Sequence, residues 1–216
     1  EVISKRSSDR TREALIGAAT DLFAEKGFDG ATVEMIARRA RVNKAMINYH
    51  FGGKSGLYQA ILSATFTPAI ERLAAIESSP LPVGERLRNF VDLFVETTSR
   101  RPQLPAMILR EVLTGGRRLG EPYLEYLLAN FRVVRGIVEQ GMRDGVFRPV
   151  DPFLTHLSLV GSLVFFMATT PVRDRLITER RIPVDPPSMA DFARHLLDLM
   201  TRGLAPSGPG GPLPRS

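Results

Sequence analysis

Apolar residues recur at one-turn spacing along most of the chain. Ala14, Leu15, Ala18, Ala19, Leu22 and Phe23 form a stripe that predicts a helix over residues 9–26, and Gly27 stands where a helix-ending glycine belongs. Thr32 is placed to cap a short second helix whose inward face is Val33, Ile36, Ala37 and Ala40. Asn43 is placed to cap a third helix beginning at Lys44, which Gly52-Gly53 stops, and a longer one follows from Ser55 to about residue 77. Breaks at 78–82, 101–102, 115–116, 145–152 and 183–187 leave further helical segments at 83–100, 102–114, 119–144, 152–170 and 187–203. Strand-like alternation of useful length is absent, as is any internal repeat. The pattern predicts an all-α chain: a small N-terminal unit of three helices, then a larger helical body. Residues 1–8 are expected as a flexible arm, 9–55 as one domain, 56–204 as a second, and 205–216 as a disordered Pro/Gly-rich tail.

Composition narrows the chemistry. With 216 residues and 44% hydrophobic side chains the chain has enough apolar material for a core. It contains no cysteine, which excludes disulfide scaffolds, thiolate metal sites and Cys nucleophiles and fits a reducing cytoplasm. The charged N-terminal residues, with no apolar stretch among them, do not read as a secretory signal. Charge matters more by position than by its sum of +6. From Met35 through Ile70 there is no Asp or Glu, while Arg38, Arg39, Arg41, Lys44 and Lys54 all fall in that window. An unopposed positive surface of that kind attracts a phosphate backbone.

The same window holds two short helices joined by Arg41-Val42-Asn43, the layout of a helix-turn-helix. A two-turn second helix, held across by the first, lies in a major groove and presents its N-terminal side chains to base edges. Here Ile47 and Phe51, four apart, would anchor its inner face, leaving Lys44, Ala45, Asn48 and Tyr49 outward. Asn48 suits bidentate reading of adenine, Ala45 or Met46 contact with a thymine methyl, and Lys44 guanine or phosphate. Tyr49, His50 and Lys54 supply donors suited to phosphates, which position without specifying sequence.

The run TREALIGAATDLFAEKGFDGATVEMIARRARVNKAMINYHFGGKSGLY resembles the TetR/AcrR family of bacterial transcriptional regulators over its whole length. The resemblance rests on the Ala-rich first helix ending in Gly27-Phe28, on Thr32, Ile36-Ala37 and Val42, and on Tyr49, His50, Phe51, Lys54 and Leu57-Tyr58. It implies a homodimer on a palindromic double-stranded operator, a ligand-binding body of about six helices, and repression relieved by a small-molecule effector. It also implies phosphate contacts at Thr32, Tyr49, His50 and Lys54. Three positions depart from the family pattern. Arg41 stands where the turn usually has Gly, Asn48 where Tyr is frequent, and Ser55 where an acidic residue is usual. If the turn requires positive φ, Arg41 costs about 1 kcal/mol there, which a phosphate contact would offset.

Other features admit two readings each. Asn48 to Ser55 superficially suggest a phosphate-binding loop, but that motif needs Gly in the place of Asn48 and a preceding strand; the glycines read instead as the end of the recognition helix. His50 is either a phosphate donor or a solvated surface residue; His156 and His195 suit interface or core positions, and nothing in the spacing calls for a metal or cofactor. No catalytic grouping is apparent, so the chain reads as a non-enzyme. Residues 152–172 carry no charge over 21 positions, near the length of a membrane span, yet two prolines, two serines, three threonines and His156 interrupt them. In the family the last two long helices form a four-helix dimer interface, which this segment fits without a membrane. Leu157, Val160, Gly161 and Val164, with Phe192, His195, Leu196 and Leu199, are the expected packed surface. Candidates for the ligand pocket are Phe94, Leu104, Met107, Glu111, Tyr126, Phe131 and Phe166. Each reads first as a core residue and only second as a ligand contact, and Arg110-Glu111 either orients a ligand or makes a buried ion pair. The basic start, Lys5 to Arg10, either reaches a minor groove or is unstructured.

Overall fold

The computed structural model describes residues 2–206, with side chains from Arg6 onward. The fold is all-α, with ten helices and no strand among the described residues. Two compact units divide them: residues 1–69 with 97–126, and 70–96 with 127–216.

In the first unit α1 (Val2–Gly30) is interrupted at Gly27, where φ is 74° and ψ 173°. Leu15, Ile16, Ala18, Ala19, Leu22 and Phe23 are its buried stripe, so Ile16 takes the inward place expected of the exposed Ala14. Residues 1–8 were expected as a flexible arm; instead Val2 to Ser8 continue α1, with Arg6 and Arg10 exposed. α2 (Val33–Ala40) starts at Thr32, whose Oγ1 accepts the Met35 N–H at 3.2 Å. It ends at Arg41 in the left-handed region (φ 57°, ψ 41°), after which the Val42 N–H reaches the Ala37 carbonyl at 3.0 Å. α3 (Ala45–Phe51) is opened by Asn43, whose Oδ1 accepts the Ala45 N–H at 2.8 Å, and closed by Gly52 at φ 70°.

α4 (Lys54–Glu77) begins against the end of α3. A Cβ added at Gly56 would collide with the Phe51 carbonyl oxygen, so only glycine admits this approach. Further along, Pro68 lies inside α4 without ending it. α6 (Leu104–Leu113) packs Leu104, Met107 and Ile108 into this unit, and α1 and α6 are in contact.

The second unit holds α5 (Val83–Ser99) up to Glu96, most of α7 (Glu121–Arg143), α8 (Pro152–Ala168), α9 (Thr170–Thr178) and α10 (Met189–Leu204). Phe90, Val91, Val133, Val134, Ile137, Leu159 and Leu163 are its most deeply buried apolar residues. Arg86 is also buried: its guanidinium donates to the carbonyls of Ile76 and Glu77 and to Gln140 Oε1, at 2.8–3.0 Å, so the end of α4 is capped by a cation. α9 departs from the sequence pattern, which ended this region at about residue 170. The chain bends by 52° between α8 and α9 and then continues through Arg173, Asp174 and Arg175. No single helix among the described residues is long and apolar enough to cross a membrane; only α8 and α9 together meet that test. Of the expected tail only Ala205 and Pro206 are described; 207–216 lie outside the described residues.

Candidate nucleic-acid interface

α3 has two distinct faces. Ile47 is fully buried and Phe51 half-buried, with the Arg12 guanidinium 5.5 Å from the Phe51 ring centroid. On the opposite side Ala45, Asn48 and Tyr49 are exposed, Tyr49 to 78%. The Asn48 side-chain amide makes no hydrogen bond among the described residues, so its donor and acceptor remain for an incoming partner. Met46 is half-buried, and Thr32 and Asn43 are exposed while serving as caps.

Space rearranges the charges that the sequence window left unopposed. Glu25 of α1 takes a two-pronged bond from Arg39, at 2.7 and 3.0 Å; this bond holds the Glu25 carboxyl below its usual range and raises Arg39. Glu34 lies 3.5 Å from Lys44 Nζ. Arg38 and Arg41 are exposed and have no ion pair among the described residues, so they are the free cations of this surface. Arg38 was not among the expected contacts, because nothing in sequence order separates it from the paired Arg39.

Lys54 is a correction. Expected to donate to a phosphate, it turns inward instead: Nζ bonds the carbonyls of Phe28 (2.9 Å) and Ala31 (3.0 Å) and lies 4.4 Å from the Phe28 ring centroid. Its charge holds the end of α1 to the start of α4. His50 is half-buried against Tyr49 and Phe51, with Nε2 buried and unpartnered among the described residues.

The expected pocket residues separate. Met107 and Glu111 border one cavity in the first unit, where Leu104 and Tyr126 are also buried. In the second unit Phe94 is buried, Phe131 packs edge-on against Phe153 and His156, and Phe166 stacks on Phe192 at 4.2 Å. The Arg110-Glu111 pair does not form: Glu111 faces Arg118, and Arg110 donates to the Glu25 carbonyl.

The expected packing surface on α8 and α10 is largely outward. Leu157 and Leu199 are about half exposed and Gly161 and His195 exposed; Val160, Val164 and Phe192 are half-buried. Leu196 instead belongs to the core at 7% exposure, on a helix that packs against α8 within the unit. Sequence reasoning missed Phe153, Leu154 and Phe165, which are exposed on α8; in an uncharged run every position looks equally fit for burial.

A capped two-turn helix, held across a left-handed turn from its predecessor and showing polar groups outward, defines a helix-turn-helix DNA-binding protein. The chain belongs to the TetR family: residues 15–61 match the profile described as bacterial regulatory proteins, tetR family, and 82–199 match the tetracyclin repressor-like C-terminal domain. It is 29% identical to the HTH-type transcriptional repressor NicS of Pseudomonas putida over 94% of this chain and 96% of that one. With the probable HTH-type transcriptional regulator YttP of Bacillus subtilis identity is 30%, covering 68% and 73%. Solved structures share the fold. One is the TetR family regulator PfmR from Thermus thermophilus (TM-score 0.68, 22% identity, 89% and 99% covered). Another is FadR from Bacillus subtilis in complex with stearoyl-CoA (TM-score 0.67, 19% identity, 89% and 98% covered). The chain is a DNA-binding transcriptional regulator, and its named relatives are regulators rather than enzymes.

Proposed function

We propose that the chain acts as a homodimeric repressor in the bacterial cytoplasm. Its two α3 helices would enter major grooves of a palindromic operator one helical turn or a multiple apart. The observation that carries this reading is the outward face of α3, with the free Asn48 amide and the exposed Tyr49 ring, preceded in the same motif by the exposed, unpaired Arg38 and Arg41. In this reading Asn48, Ala45 and Met46 read bases. Arg41, Lys44, Tyr49, His50 and the Thr32 and Asn43 caps meet the backbone. Residues 9–55 form the DNA-binding domain and 56–204 the effector-binding and dimerisation domain.

Dimerisation through α8 and α10 is supported by an apolar stripe at Leu154, Leu157, Gly161 and Phe165, all exposed in the single chain and spaced along one helix face. Release by a small-molecule effector is supported by the shared fold with FadR, a transcriptional regulator solved in complex with stearoyl-CoA. The test is selection of bound fragments from genomic DNA, followed by salt titration. Retention of one palindromic class, with affinity falling steeply with salt, is the expected result. Failure to retain any duplex in dilute buffer would overturn the reading.

A further inference from the structure

The non-helical residue Gly27 separates the last turn of α1 from the helix before it, and α2 follows that turn after only Ala31 and Thr32. The placement of α2 and α3 therefore begins at this joint. Glycines stand on both sides of Phe28 and Asp29, so the joint has little stiffness of its own. Two cations hold it from outside. Lys54 bonds the Phe28 and Ala31 carbonyls. Arg118, in the connection between α6 and α7, donates from one guanidinium nitrogen to both Asp29 carboxylate oxygens, at 3.0 and 3.1 Å. Its guanidinium carbon also lies 4.9 Å from the Phe28 ring centroid. Arg118 is itself fixed from two helices. Its backbone N–H donates to Oε1 of the buried Glu111 on α6 at 2.9 Å, and its carbonyl accepts from Gln59 Nε2 on α4 at 2.9 Å. Glu111 Oε2 lies 3.6 Å from the guanidinium. A Cβ added at Gly120 would collide with the Gln59 amide, so the chain beside Arg118 is built for this approach.

We propose that Arg118 is a positioning residue for DNA binding, acting through Asp29 and Phe28 on the joint that carries α2 and α3. Arg118 falls in the C-terminal profile at 82–199, whereas Phe28, Asp29 and Gln59 fall within 15–61. The DNA-binding segment is thus not closed on itself: a support for its first joint arrives 89 positions after Asp29. The elements of a binding site must be held within about 0.5 Å of their productive places, and α3 inherits any play in the joint before it. The Asp29 side chain is 81% exposed, and exposed ion pairs add little to global stability. Arg118 therefore acts locally, restricting the joint rather than holding the fold together, and it needs no phosphate of its own. The inference rests on the reading of α3 as the helix that enters the groove.

The test compares Arg118→Ala with Asp29→Ala in the full chain, on a duplex cut from the selected genomic fragments. The two substitutions change the charge in opposite directions. An effect of charge alone weakens DNA binding in the first and tightens it in the second. A positioning role weakens both, by about three- to tenfold, with the salt slope at its wild-type value. Melting temperatures stay within about 3 °C of the wild type. A second readout needs no DNA: amide hydrogen exchange across residues 28–35 speeds up about three- to tenfold in both variants. Unchanged or tighter binding by Asp29→Ala, a slope reduced by about 1 in Arg118→Ala, unchanged exchange, or a fall in melting temperature large enough to account for the loss would each overturn the inference alone. A wild type that retains no duplex would overturn the repressor reading and this inference with it.

Discussion

α3 and α8 both leave a face to something outside the chain, but they are built on opposite terms. α3 is seven residues long, and its position comes from its ends: the Asn43 side chain opens it, Gly52 closes it, and Arg41 turns the chain into it at φ 57°. α8 runs for 17 residues, is capped at its start by Asp151, and carries an excess of apolar side chains over what its own unit covers. A short helix gains too little from burial to hold itself, so local geometry must specify it. A long apolar one is stable anyway, and its surplus surface states only that a cover is needed.

The sharpest break in that contrast is Gly56→Ala. The added Cβ meets the Phe51 carbonyl, and stability falls on the order of 3 kcal/mol, read by thermal or denaturant unfolding. An unchanged melt would show that α3 and α4 separate freely. Next comes Phe165→Glu. Since Phe165 is 70% exposed, folding of the single chain is untouched, while a dimer built on α8 weakens by about 2–3 kcal/mol in sedimentation analysis. A dimer of undiminished affinity places the partner elsewhere. Asn48→Ala removes about 1–3 kcal/mol of preference at one symmetric base position in a site-selection assay, and full retained selectivity moves readout to its neighbours.

Arg41→Gly divides stability from binding. It relieves the left-handed strain, adding about 1 kcal/mol to folding, yet lowers affinity for every duplex and reduces the salt slope by about 1. The smallest effect concerns His156, which burial lowers from its usual value. The folded chain holds it neutral while the unfolded chain takes up a proton near pH 6.5, so its contribution is complete above that pH and lost as pH falls through it. Between about pH 7.5 and 5.5 the melting temperature of the wild type therefore falls more than that of His156→Leu.

Much of the first unit was legible because its determinants are local. Thr32 as cap, Asn43 as cap and Arg41 as a residue at positive φ all follow from what lies within four positions along the chain. What could not be read is what arrives through space. Glu25 and Glu34 lie outside the acid-free window but close onto Arg39 and Lys44, and the Lys54 ammonium finds carbonyls 23 and 26 residues earlier. α9 was hidden for a different reason: Thr170-Pro171 resembles a stop, but Pro is at home in the first turn of a new helix. Leu196 and Leu199 look alike in the sequence, three apart on one helix, and only packing decides that the first is covered and the second open.

Pro68 carries a quieter consequence. It has no N–H to offer, so one rung of the α4 ladder is missing. That gap falls two positions before the chain passes from the first compact unit into the second at Ile70. A rod with an absent rung resists bending less at that point than the same rod complete.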